Sequence, residues 1–253
     1  MKLGKAVMDF HNSLGAPEFC RLRLGFHPDR HQCLVLDPSI QRGILNCTRQ
    51  WGKSTVTAAK AIHHAVTVAG SLTLVASPSA RQSGEFLRKA ETFARKLKLD
   101  PRGDGDNAIS LLLPNNSRIV GIPANEDTTR GFSAVTLMLI DEASRVPDSF
   151  YYSLLPTMIT RADAALWLMS TPNGKQGFFY NEWIGEEDWT RIEVPATDCP
   201  RIPQKSLDRE RRHMTKAMFE QEYLCKFIAP DNSFFDADMV REASERDPEP
   251  FFS

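Results

Sequence analysis

A chain of 253 residues, 42% hydrophobic and 25% charged, is long enough to bury one large core, with room for a small appendage. No run of about eighteen apolar residues is present, and the first residues lack a basic stretch followed by an apolar one. This excludes a membrane-spanning helix and a secretory signal, so a cytoplasmic protein is expected. The net charge of −1 names no partner, because a nucleic-acid binder can concentrate its positive charge in one place.

Residues 1–34 read as a loop-rich N-terminal extension. The five cysteines, Cys20, Cys33, Cys47, Cys199 and Cys225, are odd in number and scattered, which suits reduced thiols rather than a disulfide framework. Cys20, His27, His31 and Cys33 follow no common zinc spacing.

Arg42 to Cys47 reads as a strand that enters Cys47-Thr48-Arg49-Gln50-Trp51-Gly52-Lys53-Ser54-Thr55, and Lys53 to Ala69 as an Ala- and Val-rich helix. The loop has the form of a phosphate cradle: backbone N–H groups at a helix N-terminus face the phosphates, a lysine neutralises them, and a hydroxyl binds Mg²⁺. Lys53 and Ser54 take the last two parts. Cys47 stands where the usual pattern has glycine, and Gly-Lys-Ser-Thr alone could open any solvated helix.

Ser71 to Ala76 is strand-like. Residues 81–98 then form an amphipathic helix whose basic face carries Arg81, Arg88, Lys89 and Arg95, with Phe86, Leu87, Ala90 and Phe93 opposite. That face is either a DNA contact or an ordinary solvated surface. Ile109 to Leu113 and Arg118 to Ile122 flank Pro114-Asn115-Asn116-Ser117 as a hairpin.

Val135 to Ile140 is an apolar run of buried-strand length that ends in Asp141-Glu142. Two acids there suit Mg²⁺-ATP chemistry, with Asp141 on the metal and Glu142 polarising the attacking water. A helix from about Pro147 to Ile159, a strand from Ala164 to Met169 and then Ser170-Thr171-Pro172 follow. Trp189 to Val194 adds a strand, and Pro203 to Leu224 one or two charged helices. A second basic cluster, Arg209, Arg211, Arg212 and His213, is interleaved with Asp208 and Glu210. Strands alternating with helices predict an α/β fold, a mostly parallel central sheet flanked by helices, with ligands at the carboxyl ends of the strands.

Taken together, Arg49-Gln50-Trp51-Gly52-Lys53-Ser54, Asp141-Glu142-Ala143 and Ser170-Thr171-Pro172, in this order, resemble the ATPase domain of the large terminase subunit of tailed bacteriophages. The resemblance covers roughly residues 35–228. It implies a P-loop NTPase of the ASCE type with a small C-terminal helical lid: a core over 35–195, a lid over 196–228, and a linker or tail over 229–253. It implies ATP and Mg²⁺ as cofactors and double-stranded DNA as the translocated polymer. The implied partners are a homo-oligomeric ring, a portal protein and a small terminase subunit, at a procapsid in the host cytoplasm. By the same resemblance Gln41 recognises adenine, Gln50, Trp51, Gly52 and Thr55 line the nucleotide with Lys53 and Ser54, and Arg49 contacts the phosphates. Arg130 reaches a neighbouring subunit's ATP, and Ser170, Thr171 and Pro172 couple hydrolysis to the lid. The family's usual nuclease domain has no room here, so DNA cutting is not expected. A helicase-like DNA-dependent ATPase and a non-hydrolysing ATP-binding assembly subunit are the alternatives. About eighty residues follow Pro172, too few for a second helicase motor domain, and the intact Glu142 speaks for hydrolysis.

Overall fold

The computed structural model describes residues 14–125, 129 and 131–229. Its strands are β1 (Arg42–Cys47), β2 (Leu72–Ser77), β3 (Ser110–Leu112), β4 (Arg118–Pro123), β5 (Leu137–Asp141), β6 (Ala165–Ser170) and β7 (Thr190–Val194). They form a sheet in the order β3-β4-β2-β5-β6-β1-β7, parallel except for the antiparallel pair β3/β4. β6 therefore lies between the strand that feeds the phosphate loop and the strand that ends in the acids.

Both faces of the sheet are covered, as a parallel sheet requires. Along each strand alternate side chains enter opposite cores: Leu45, Val75, Leu139 and Trp167 one, Ile44, Leu74, Met138 and Leu168 the other. The first core is closed by α1 (Ala16–Phe19, continued by a π turn over Cys20–Leu24), α2 (Arg30–Leu36), α3 (Lys53–Thr67) and α4 (Ala80–Lys96). The second is closed by α5 (Asp148–Leu154) and α6 (Gly177–Ile184), where Tyr151 and Phe178 stack at 4.0 Å. Close packing reaches the backbone at Gly43, where a Cβ would stand 2.4 Å from the Trp167 ring.

Several expected elements form with adjusted limits. The helix over Pro147 to Ile159 is α5 followed by a 3-10 turn over Leu155–Met158, because Pro156 supplies no amide to continue the α-helical ladder. Residues 203–224 are two helices, α7 (Gln204–His213) and α8 (Lys216–Leu224), the second capped by the Thr215 hydroxyl on the Met218 amide. They pack on each other through Leu207 and Phe219 as a small separate cluster.

Two parts differ from the sequence reading. The stretch read as a loop-rich extension, residues 1–34, contains α1 and most of α2; it buries Phe19 and Leu24 in the first core, and the end of α2 adds Val35 and Leu36. α2 starts at a capping box in which Asp29 accepts from the Gln32 amide and Gln32 accepts from the Asp29 amide. α6 was not foreseen at all.

Candidate ATP site

The carboxyl ends of β1, β5 and β6 meet at one rim of the sheet. β1 delivers Cys47, which is fully buried, and burial pushes its thiol up to about 12. It is a small neutral core residue in the place usually held by glycine. The loop after it turns through Gln50 (φ 66°) and Gly52 (φ 99°) and closes on α3 with the Thr55 and Val56 amides bonded to the Gly52 carbonyl. The first amides of a helix have no intrahelical acceptor, so the start of α3 faces the rim as an anion site.

Trp51 does not turn its side chain toward the rim, which leaves its backbone alone to line a nucleotide. Its side chain is 1% exposed and belongs to the first core, so the indole anchors the loop from below. Its carbonyl is held by Gln32 Nε2 at 3.3 Å and by Arg201.

Gln41 also requires correction. It lies one residue before β1, whereas the phosphate loop follows the other end of that strand, about 20 Å away at the usual rise per strand residue. There Gln41 is exposed, donates to the Ala162 carbonyl and lines a cleft with Tyr152, Pro156 and Ile159. The glutamine at the phosphate loop is Gln32, 1% exposed and 3.4 Å from where a Cβ of Gly52 would be. The Asp-x-x-Gln capping box was the signal that could have found it.

β5 ends in the acidic pair. Ser54 Oγ donates to Asp141 Oδ2 at 3.3 Å. Adjacent oxygen ligands of an octahedral Mg²⁺, each about 2.1 Å from the ion, lie about 3 Å apart, so this hydroxyl and carboxylate suit that ion. Among the described residues no group of three or more His, Cys, Asp or Glu could hold a metal. A few protein oxygens completed by phosphate oxygens and water is how Mg²⁺ is commonly bound. Burial raises the pKa of Asp141, partly offset by Lys53.

Glu142 adopts a left-handed backbone (φ 52°, ψ 43°), uncommon for a residue with a Cβ, and this turns its carboxylate back toward α3. Lys53 Nζ donates to Glu142 Oε1 at 2.6 Å. Burial works against the Lys53 ammonium, but Asp141 and Glu142 outweigh it and hold its pKa above the ordinary lysine value.

α8 and the turn after β6 close the rim. Arg49 Nε stands 2.6 Å from Glu222 Oε2 of α8, and Thr48 Oγ1 donates to the Glu222 carbonyl at 3.1 Å. Asn46 Nδ2 donates to the Cys225 carbonyl at 2.7 Å. Ser170 and Thr171 are buried; Ser144 Oγ, just after the acidic pair, lies 2.8 Å from Ser170 Oγ and donates to the Thr171 carbonyl. Pro172 is buried beside them. Sequence reasoning missed Ser144 and Arg145, which follow the acidic pair directly, and Glu222, which reaches the site only through the packing of α8. Arg130 lies outside the described residues.

The basic face of α4 is partly neutralised from within. Arg88 pairs with Glu85, and Arg95 Nη2 lies 2.6 Å from Glu91 Oε1, whereas Arg81 and Lys89 are exposed on the same helix.

A family model described as terminase large subunit, T4likevirus-type, N-terminal, matches residues 44–241. No curated protein sequence matches. The fold is similar to that of the Thermus phage P74-26 large terminase ATPase domain, with 21% identity and a TM-score of 0.72 over 83% of this chain and 98% of that one. It is similar also to the HK97 bacteriophage large terminase, with 17% identity and a TM-score of 0.69 over 88% of this chain and 55% of that one. A large terminase from a thermophilic bacteriophage, solved with ATP-gamma-S, gives 17% identity and a TM-score of 0.62 over 79% of this chain and 52% of that one.

Proposed function

This chain belongs to the large terminase subunit family, and from that premise we propose that it hydrolyses ATP with Mg²⁺ to drive double-stranded DNA into a procapsid. The observation that carries the reading is the joint geometry of Lys53 with Glu142 at 2.6 Å and Ser54 with Asp141 at 3.3 Å, at the mouth of a phosphate loop.

The residues divide the work as follows. The amides at the start of α3 and the Lys53 ammonium bind the β- and γ-phosphates, and Arg49 adds a second cation. Gln50, Gly52 and Thr55 contribute backbone and hydroxyl groups around the same phosphates, and Gln32 holds the loop at the Trp51 carbonyl. Ser54 and Asp141 hold Mg²⁺, which when bound shields the phosphate charge. Glu142 orients and polarises water for attack on the γ-phosphate. Ser170, Thr171 and Pro172, tied to the turn after the acids, relay the change to the lid, whose Glu222 contacts Arg49.

The motor is a ring of this subunit on a portal protein, supplied with DNA by a small terminase subunit, at the procapsid in the host cytoplasm. Arg130 completes a neighbour's site, and the α4 face, through Arg81, Arg88, Lys89 and Arg95, touches DNA. The test is specific ATP turnover across a wide range of protein concentration. A rate that climbs with concentration in the wild type and stays flat in Arg130→Ala supports completion between subunits. A concentration-independent wild-type rate removes Arg130 from its part. On the DNA side, Arg88→Ala with Arg95→Ala should flatten the salt dependence of binding, since fewer counterions are released.

A further inference from the structure

Arg145 has no part in the chemistry assigned so far, yet it touches three parts of the site. It closes the 3-10 turn Ala143–Arg145 directly after the acidic pair. Its Nη1 lies 3.4 Å from Glu142 Oε2 and donates to Thr171 Oγ1 at 3.3 Å, and its Nη2 lies 3.7 Å from Glu222 Oε1. Its side chain is only 32% exposed, so these contacts are not those of a freely solvated arginine.

The two oxygens of Glu142 thus have different partners. Oε1 is held by Lys53 and Oε2 by Arg145. Lys53 has to turn to the phosphates when a triphosphate enters, which frees Oε1. Arg145 is fixed in the same turn as Glu142 and does not belong to the phosphate loop, so its hold on Oε2 persists. Among the described residues the Glu142 carboxylate contacts Lys53 and Arg145, so a glutamate without Arg145 would lose its aim once Lys53 turns away.

We propose that Arg145 is the positioning residue for Glu142: through turnover it holds Oε2 so that Oε1 faces the attacking water, and it links that aim to Thr171. The planar guanidinium suits this, since its fork can serve two acceptors in fixed directions, which one ammonium cannot. This rests on the ATPase reading above, in which Glu142 polarises the water.

The test compares the full chain with Arg145→Ala and Arg145→Lys in steady-state ATP turnover, and separately in equilibrium binding of a non-hydrolysable ATP analogue. For Arg145→Ala we expect kcat to fall by about 10- to 100-fold, as a misaimed group costs, while analogue affinity stays within about threefold. Arg145→Lys should recover part of the loss. If kcat of Arg145→Ala stays within twofold of wild type, or if the loss appears in analogue affinity with kcat kept, the assignment is overturned. Should Arg145→Ala fail to melt cooperatively, Arg145→Gln decides the same question, with the same drop in kcat expected. Wild-type turnover with an indifferent Arg145 variant overturns this assignment alone, whereas a wild type without turnover overturns the ATPase reading as well.

Discussion

Lys53 Nζ lies 2.6 Å from Glu142 Oε1, so the cation proposed for phosphate and the carboxylate proposed for water are each other's counter-ion. In the proposed function a triphosphate separates them, and that separation both binds the nucleotide and releases the carboxylate for catalysis.

Glu142→Gln should therefore have opposite effects on the two steps. Turnover should fall by at least about 100-fold, the lower end of what a general base contributes. ATP affinity, measured by titration with a fluorescent nucleotide, should stay equal or rise a few-fold, because Lys53 loses a competing partner. Turnover equal to wild type would remove Glu142 from its role.

The lid is held on the phosphate loop by few groups, chiefly Arg49 with Glu222 and Asn46 with the Cys225 carbonyl. Arg49 is 61% exposed, so the ion pair contributes less than about 1 kcal/mol and Glu222→Ala should lower Tm by no more than about 3 °C. Its main effect should be local: faster tryptic cleavage in α7 and α8 without nucleotide. An unchanged cleavage rate would mean that other contacts hold the lid.

Gly43 is a packing requirement. An added Cβ would collide with Trp167, itself fully buried under the Lys60 ammonium 4.8 Å from its ring. Gly43→Ala should cost on the order of 2–3 kcal/mol, read as a lower denaturant midpoint at unchanged slope. A cost below about 0.5 kcal/mol would show that the ring moves aside freely.

His64 predicts an acid-sensitive core. Burial first, then Lys60 and His63, pushes its pKa down to about 4, while its Nε2 lies 2.8 Å from the Thr136 hydroxyl. The unfolded chain binds this proton first as pH falls, so the contribution is present above about pH 6.5 and is lost toward pH 4. Between pH 7.5 and 4.5 wild type should lose about 2–3 kcal/mol more unfolding free energy than His64→Gln. Equal losses would contradict the assignment.

The sheet was legible because its strands are short apolar runs between strong punctuation: the loop after Cys47, the acids after Ile140, the hairpin turn at Asn115-Asn116. The places of Lys53, Ser54, Asp141 and Glu142 in the fold were legible for the same reason, since each sits where a strand ends or a helix begins. For Trp51 the sequence places a residue in a loop without saying which way its side chain faces, and here the core took the indole. Gln41 was read as the adenine-recognising glutamine because it stands ahead of the loop, and Gln32 was not considered. In the fold β1 carries Gln41 away from the loop, while α2 brings Gln32 against it. Arg145, three residues after Glu142, was passed over, whereas Glu222 carries no local signal and only the packing of α8 brings it to the site.

In the proposed function the Lys53, Ser54, Asp141 and Glu142 constellation hydrolyses ATP. The most direct test is steady-state phosphate release by the full chain with ATP and Mg²⁺, beside Lys53→Ala and Glu142→Gln. The account predicts Mg²⁺-dependent turnover in the wild type that both substitutions abolish, with nucleotide binding lost in Lys53→Ala and kept in Glu142→Gln. Wild-type turnover that survives Glu142→Gln, or nucleotide binding without any wild-type turnover, would contradict it.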